Sequence, residues 1–419
     1  MVTRVGKRST AARAAALVVL SMMLVGCGST TSARQAPEAA ASRSCPVAVI
    51  DTLASVLQRV YHEGVKSERT DSANHIIDGS LALREAVLRG DATAATAAAQ
   101  SLIATGHLTN LRLVVGTRVL VDLGGPALTP IHGSLTDPST GRVIARYKTS
   151  VWSDTGFVAE GDGVAEGLVV LRAKNRSVGG SLALPPGPLP DEGTLTHSGT
   201  VYQYTSFPGE AFPLGALRVY LFRPLHSAGA LCGKTAQDTV VNTLSRIAQL
   251  IYRAEGGRRT LAQVQRVQSN QPLLQAVARR DPTATRVAVE ALLHQHIVRL
   301  RVIAGGRVLV DDGGPFVLAP VTAPLTLAGK TIGSIVMSIQ DDEGYLRLTR
   351  RLAGLYVLMY MGANHTRLVK NSLGPNPGTV PASGAYTYHG RNFRVITVNA
   401  EAFPSGPLLI RVLVPIPYS

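Results

Sequence analysis

Arg118-Val-Leu-Val-Asp122 recurs letter for letter as Arg307-Val-Leu-Val-Asp311. Gly124-Gly-Pro126 recurs at the same offset as Gly313-Gly-Pro315. Ser150-Val-Trp-Ser-Asp154-Thr-Gly156-Phe157 faces Ser338-Ile-Gln-Asp-Asp342-Glu-Gly344-Tyr345, and Glu210-Ala-Phe-Pro213 faces Glu401-Ala-Phe-Pro404. The offset drifts by only a few residues, so one unit is written twice with small loop insertions. The copies run over residues 45–226 and 232–419. An identity shared by both reports first on the fold they share.

Working outward, each copy opens with helical periodicity. Residues 47–63 carry Val49, Leu53, Val56, Leu57 and Val60 at three-to-four spacing, and 238–254 repeat it with Val240, Val241, Leu244, Ile247, Ala248 and Ile251. A second helix is expected over 72–89 and again over 260–279. A third opens at Asp91 and at Asp281-Pro282, where Asp caps the free amides and Pro suits the first helical position. Alternating strands follow. Gly116-Thr117 and Gly305-Gly306 read as hairpin turns. Further strands are expected at 142–152, 166–173, 177–184, 200–207 and 216–223. Asn175 and Asn364 are expected at turn tips, where Asn tolerates a left-handed backbone. Asp154 and Asp342 are expected to cap a short helical turn. Each copy therefore reads as two or three helices packed on one largely antiparallel sheet, an α+β arrangement.

This element order resembles Cache domains, the PAS-like extracytoplasmic sensor modules of bacteria. The hairpin Arg118–Asp122 and the strings Gly141–Gly156 and Gly329–Gly344 carry the resemblance. It implies a PAS-like antiparallel sheet in each copy and a concave pocket for a small molecule. Family members commonly continue into a membrane helix and a signalling module. Nothing follows Ser419, so the signal is expected to pass to a membrane partner. The Arg-x-Trp-Tyr string of amino-acid-binding members is absent, so an amino-acid ligand is not implied.

The first 26 residues read as a targeting segment. Arg4, Lys7, Arg8 and Arg13 precede an apolar run, Ala14 to Val25, which is too short to span a bilayer. The run ends in Leu24-Val25-Gly26-Cys27, which resembles the lipobox of bacterial lipoproteins. Cys27 is the expected lipidation site. Residues 27–44, rich in Ser, Thr and Ala, read as a flexible tether. The chain is thus expected on the extracytoplasmic face of the cell membrane, held by lipid. Its formal charge of +15 includes the four cations of the signal segment, leaving +11 to favour an anionic surface. The compartment and the scattered arginines speak against nucleic acid. Cys45 and Cys232 remain after Cys27, and in an oxidising compartment they are candidates for a disulfide.

No reaction motif survives inspection. Gly233-Lys-Thr235 and Gly329-Lys-Thr331 lack the earlier Gly of a phosphate loop, and no Gly-x-Ser-x-Gly or His-Glu-x-x-His is present. No cofactor is expected, and the reading is not an enzyme. His294 and His296 have no third ligand near them, and His296 aligns with His107. Asp341-Asp342-Glu343 reads as a solvated acidic turn. No metal is expected. The candidate ligand site lies at the end of strand 142–152, where Ser150, Trp152 and Asp154 should share a face and Phe157 should close the pocket. Its counterparts are Ser338, Gln340, Asp342 and Tyr345. Because Trp152 becomes Gln340, the copies are not expected to bind the same ligand. The leading reading is a lipid-anchored sensor or ligand-binding protein acting through a membrane or envelope partner. The alternative is a structural or interaction lipoprotein whose pockets are filled by its own side chains. For the anchor, labelled palmitate should enter the wild-type chain and not the Cys27→Ser variant; lipidation retained in that variant would contradict the assignment.

Overall fold

The computed structural model describes residues 44–254, 258–293, 297–362 and 364–418, the side chains of 254, 258 and 259 excepted. Copy one begins with four helices: α1 (Cys45–Val65), α2 (Glu68–Gly79), α3 (Leu81–Arg89) and α4 (Ala92–Ala104). The strands β1 (Asn110–Val115), β2 (Arg118–Gly124), β3 (Ala127–Leu128), β4 (Ile131–Thr136), β5 (Val143–Ser150) and β6 (Trp152–Ser153) follow. Helix α5 (Asp154–Ala165) leads to β7 (Leu168–Ala173), β8 (Arg176–Gly180), β9 (Glu192–His197), β10 (Thr200–Phe212) and β11 (Gly215–Pro224). A short α6 (Leu225–Gly229) links the copies.

Copy two repeats the order with α7 (Ala236–Ala254), α8 (Arg258–Gln268), α9 (Gln271–Arg279) and α10 (Pro282–Leu293). Then come β12 (Arg299–Ala304), β13 (Arg307–Gly313), β14 (Val317–Leu318), β15 (Val321–Leu327), β16 (Lys330–Ser338) and β17 (Gln340–Asp341). Helix α11 (Asp342–Ala353) leads to β18 (Tyr356–Met361), β19 (Arg367–Asn371), β20 (Gly384–Tyr388), β21 (Arg391–Phe403) and β22 (Gly406–Ile416).

The duplication holds strand by strand, and both copies are α+β. Each copy contains two sheets rather than the one expected. A four-stranded antiparallel sheet runs β2-β1-β5-β4, repeated as β13-β12-β16-β15. A seven-stranded sheet runs β6-β3-β10-β11-β7-β8 with β9 on β10, repeated as β17-β14-β21-β22-β18-β19 with β20 on β21. The chain crosses between sheets directly after Ser150 and Ser338. The Ser150 hydroxyl donates to the Leu128 carbonyl and accepts the Trp152 amide at 3.0 Å. Ser338 does the same with Leu318 and Gln340. This is why the Ser identity recurs.

The expected second helix is two helices in each copy. Ser80 accepts the Leu83 amide and Asn270 accepts the Leu273 amide, so each residue caps a new helix in mid-pattern. Asp91 and Asp281 cap α4 and α10 as expected. The caps of α5 and α11 fall one residue earlier than expected. Ser153 accepts the Gly156 amide and Asp341 the Gly344 amide, in place of Asp154 and Asp342. Asn175 has positive φ as expected, but in copy two His365 takes that role instead of Asn364. Gly124 and Gly313 have φ of 95° and 123°. A side chain there would strike the backbone of Thr109 or Val298, which accounts for the repeated Gly-Gly-Pro.

Helices α2, α3 and α4 cover one face of the small sheet. Helix α1 is unusual. Val49, Leu53, Val56 and Val60 are buried, and so are Ile50, Ala54, Leu57 and Tyr61. Apolar positions on more than one stripe demand more than one partner. Helix α1 packs against β10 and α5 of its own copy and against α7 and α11 of the other. One continuous core results, taking in Val219 and Leu221 of one large sheet and Ile410 and Val412 of the other. The described residues belong to one compact unit, Arg43–Ser419.

Cys45, at the first turn of α1, is bonded to Cys232 just before α7, with Cα atoms 5.7 Å apart. The sequence separation is 187. In the chain-entropy account such a loop contributes at most ~5 kcal/mol. Alkylation without reductant should label neither cysteine of the chain from residue 44 onward, and Cys45→Ser should lower stability by several kcal/mol in urea unfolding. Two alkylated thiols in the native protein would contradict the bond.

Candidate functional site

The residues expected to line a pocket are mostly core. Because the chain changes sheets at Val151, Ser150 and Trp152 do not continue one strand face. Trp152 lies in the layer between the large sheet and α1 and α5. Its ring meets Phe157 edge-on at 6.3 Å between centroids, and Phe157 meets Tyr61 in the same way at 6.0 Å. The Arg69 guanidinium sits 4.6 Å from the Trp152 ring centroid. The indole Nε1 has no hydrogen-bond partner. Phe157 is fully buried. Asp154 is half-buried and accepts the Thr155 amide at 2.7 Å.

In copy two, Gln340 replaces the indole and is 4 % exposed, with neither amide atom hydrogen-bonded. Tyr345 is fully buried, donates to the Ala248 carbonyl at 3.0 Å, and meets Tyr252 edge-on. Burial pushes its phenol pKa up. Asp342 is buried beside Lys370 at 3.5 Å. Burial raises its carboxyl pKa, and the Lys370 ammonium pulls the other way. The structure therefore brings Trp152 and Phe157 together, and Tyr345 to its own helix layer, as packing elements. The His294 and His296 pair lies outside the described residues. Among the described residues no cluster of three metal-ligating side chains occurs, and His107 is exposed.

Charged groups cross between the copies where α5 and α7 meet. Glu166 ends α5 with a left-handed backbone at φ 44°. Its carboxylate accepts from Arg223 at 3.4 Å and from Nε of Arg246, on α7, at 3.0 Å. These hydrogen bonds, led by Arg246, hold the Glu166 carboxyl below its ordinary pKa. A second link joins Glu63 on α1 to Arg351 on α11. Burial raises the Glu63 pKa against the pull of Arg351 and Arg69.

An open cleft of about 370 Å³ lies on the outer side of copy one's large sheet, lined by Arg172, Lys174, Asn175, Leu189, Arg218 and Tyr220. Strand β7 carries Arg172 within the apolar run Leu168-Val-Val-Leu-Arg-Ala173, and the side chain is 6 % exposed. Its Nη2 donates to the carbonyls of Asn175 at 2.8 Å and Gly187 at 2.7 Å, which ties the loop 181–191 to the sheet. Its Nε has no partner. Arg218 pairs with Asp191 at 2.9 Å. Tyr220 donates to the Leu189 carbonyl at 2.9 Å. Lys174 is exposed and makes no ion pair with the described residues. In copy two Tyr360 stands at the place of Arg172 and Arg411 at that of Tyr220. The Arg411 guanidinium lies 4.3 Å from the Tyr360 ring centroid and donates to the Val380 carbonyl. Both copies thus hold their outer loop with arginine. Sequence reasoning missed this cleft; the signal was an arginine inside an otherwise apolar strand.

No protein-family model matches the chain, and no curated protein matches it. Among solved structures, the Vibrio cholerae LuxQ periplasmic domain is similar at 15% identity, over 40% of this chain and 95% of that one, with a TM-score of 0.29. The ligand-binding domain of the Pseudomonas fluorescens chemoreceptor CtaA, solved with L-isoleucine, is similar at 12% identity, over 43% and 96%, with a TM-score of 0.25. An extracellular ligand binding receptor from Desulfohalobium retbaense is similar at 11% identity, over 54% of this chain and 47% of that one, with a TM-score of 0.24. Likeness at this level carries no argument about function.

The Glu166 link has a defined pH signature. A carboxyl whose folded pKa is lowered adds stability above its unfolded pKa and loses it as pH falls through the folded pKa. Glu166→Gln should destabilise by about 1–2 kcal/mol at pH 7, allowing for solvent screening. The difference from wild type should fade as pH drops below the ordinary glutamate range. Urea unfolding at pH 7 and pH 3 measures it; an equal difference at both values would contradict the ion pair.

Proposed function

We propose that this chain is a lipid-anchored extracytoplasmic ligand-binding or sensor protein that acts through a membrane or envelope partner. Its ligand is a small anion taken by the cleft of copy one. The observation that carries this reading is Arg172. Its charge is almost wholly buried at the cleft and is compensated by carbonyl dipoles alone. A buried charge without a counter-ion is costly, and an anion in the cleft would relieve that cost. Lys174 at the rim adds a second positive charge, and Tyr220 an apolar wall. Tyr360 and Leu409 occupy the places of Arg172 and Arg218 in copy two, so the two copies do not share a ligand. Catalysis is not part of this reading.

The alternative, a structural or interaction lipoprotein, is favoured by one observation. The space expected for a ligand at Trp152, Phe157 and Tyr345 is filled by those side chains. Thermal unfolding against small carboxylates and inorganic phosphate separates the two readings. A true ligand at 100-fold its dissociation constant stabilises by ~2.7 kcal/mol. Lys174→Ala should weaken that binding about two- to fivefold without lowering the unfolding temperature of the free protein. If no small anion shifts unfolding, the structural reading stands and the cleft assignment falls.

A further inference from the structure

The two copies are each other's control. Where the fold needs a residue, both carry it; where they differ in register, the fold tolerates either. The four-stranded sheets show such a difference on the face that α2, α3 and α4 leave open. In copy one the cross-strand pairs Arg112↔Lys148 and Lys148↔His132 place three basic side chains in one row. The next row pairs Val114↔Arg146 and Arg146↔Ser134. In copy two the same positions read Arg301↔Val336, Val336↔Thr322, Ile303↔Ser334 and Ser334↔Pro324. Lys148, Arg146 and His132 thus stand where copy two has Val336, Ser334 and Thr322.

The remaining charges widen the contrast. In copy two Asp311 neutralises its row, accepting from Arg299 at 2.8 Å and Arg301 at 3.0 Å. In copy one the equivalent Asp122 is 3.8 Å from Arg112, at the end of the row. Arg146 and His132 are exposed, and Arg112 and Lys148 are half-buried. Phe212 lies beside the row, its ring centroid 5.8 Å from the Arg112 guanidinium and 6.0 Å from the Lys148 ammonium.

We infer that the open face of β2-β1-β5-β4 is a docking surface for an anionic phospholipid bilayer. Arg146 and Lys148, neither in an ion pair with the described residues, match a surface of phosphate headgroups, and packing does not require them, since the same sheet forms with Ser334 and Val336 in their places in copy two. This inference rests on the anchor at Cys27 and not on the cleft. Residues 28–44 fully extended reach on the order of 60 Å, so lipidation would raise the concentration of the sheet at the bilayer surface. Each basic residue near an anionic leaflet contributes about 1 kcal/mol, and the attraction decays within about 10 Å at 0.1 M salt.

The test uses the chain from residue 27 onward with Cys27→Ser, so that lipid does not confound binding. Flotation with phosphatidylcholine vesicles, with and without phosphatidylglycerol, should show binding only to the anionic vesicles and release at high salt. Arg146→Ser with Lys148→Val installs the residues that copy two already carries in this register. The pair should weaken vesicle binding about 30-fold and leave thermal unfolding unchanged. Arg176→Ser with Lys330→Val, off this face, should change binding little. Equal loss from both pairs would reduce the effect to net charge and overturn the surface. Binding to soluble polyglutamate without vesicle binding would assign the face to an acidic polymer instead. Loss of vesicle binding bears on this face alone, whereas palmitate labelling bears on the anchor.

Discussion

The structure depends on the pairing of α1 with α7. Each helix opens one copy, and each packs beneath the large sheet of its own copy and against the α5 or α11 layer of the other. A helix apolar on a single stripe would be satisfied by its own sheet. Helix α1 is apolar on adjoining stripes, with Val49, Val56 and Val60 on one and Ile50, Leu57 and Tyr61 on the next, all buried. Left without α7 and α11, it would return part of that surface to water. The Cys45–Cys232 bond closes the same end of the pair, and the Glu166–Arg246 and Glu63–Arg351 links lie at its flanks. The duplicated units thus share one core.

That arrangement explains the fate of the residues singled out at the end of β5. A side chain at position 152 or 340 enters the helix layer and does not meet solvent. Copy one fills the place with an indole beside Phe157, and copy two with Gln340 while Tyr345 fills the layer from α11. Positions 157 and 345 keep an aromatic ring in both copies because the layer needs volume. The freedom to diverge lies at the outer loops and the open sheet faces. There Arg172 and Tyr220 exchange kinds with Tyr360 and Arg411, and Lys148 gives way to Val336.

Much of the fold was legible because two noisy readings of one pattern could be laid side by side. The hairpin Arg118–Asp122, the Asp91 and Asp281 caps and the leading helices all rest on local spacing and capping chemistry. The two-sheet division was not legible, since it turns on Ser150 and Ser338 bonding to Leu128 and Leu318, partners far along the chain. The break at Ser80 was hidden because apolar spacing continues across it and only the cap hydrogen bond marks it. At the site, local alternation marked Trp152, Phe157, Gln340 and Tyr345 as neighbours at a strand end, and their depth in the helix layer was not legible. Alternation along a strand gives a face; it does not say which layer covers that face. Arg172 escaped notice because its role depends on carbonyls of Asn175 and Gly187, which only the folded loop supplies.

A shared core makes a direct demand on cooperativity. Equilibrium urea unfolding should be followed by Trp152 fluorescence, which reports on copy one alone, and by far-ultraviolet circular dichroism, which reports on both copies. With the disulfide intact, one core predicts a single transition with coincident midpoints for the two probes. Two transitions, with Trp152 fluorescence changing in only one of them, would show that the copies fold independently and would contradict the account.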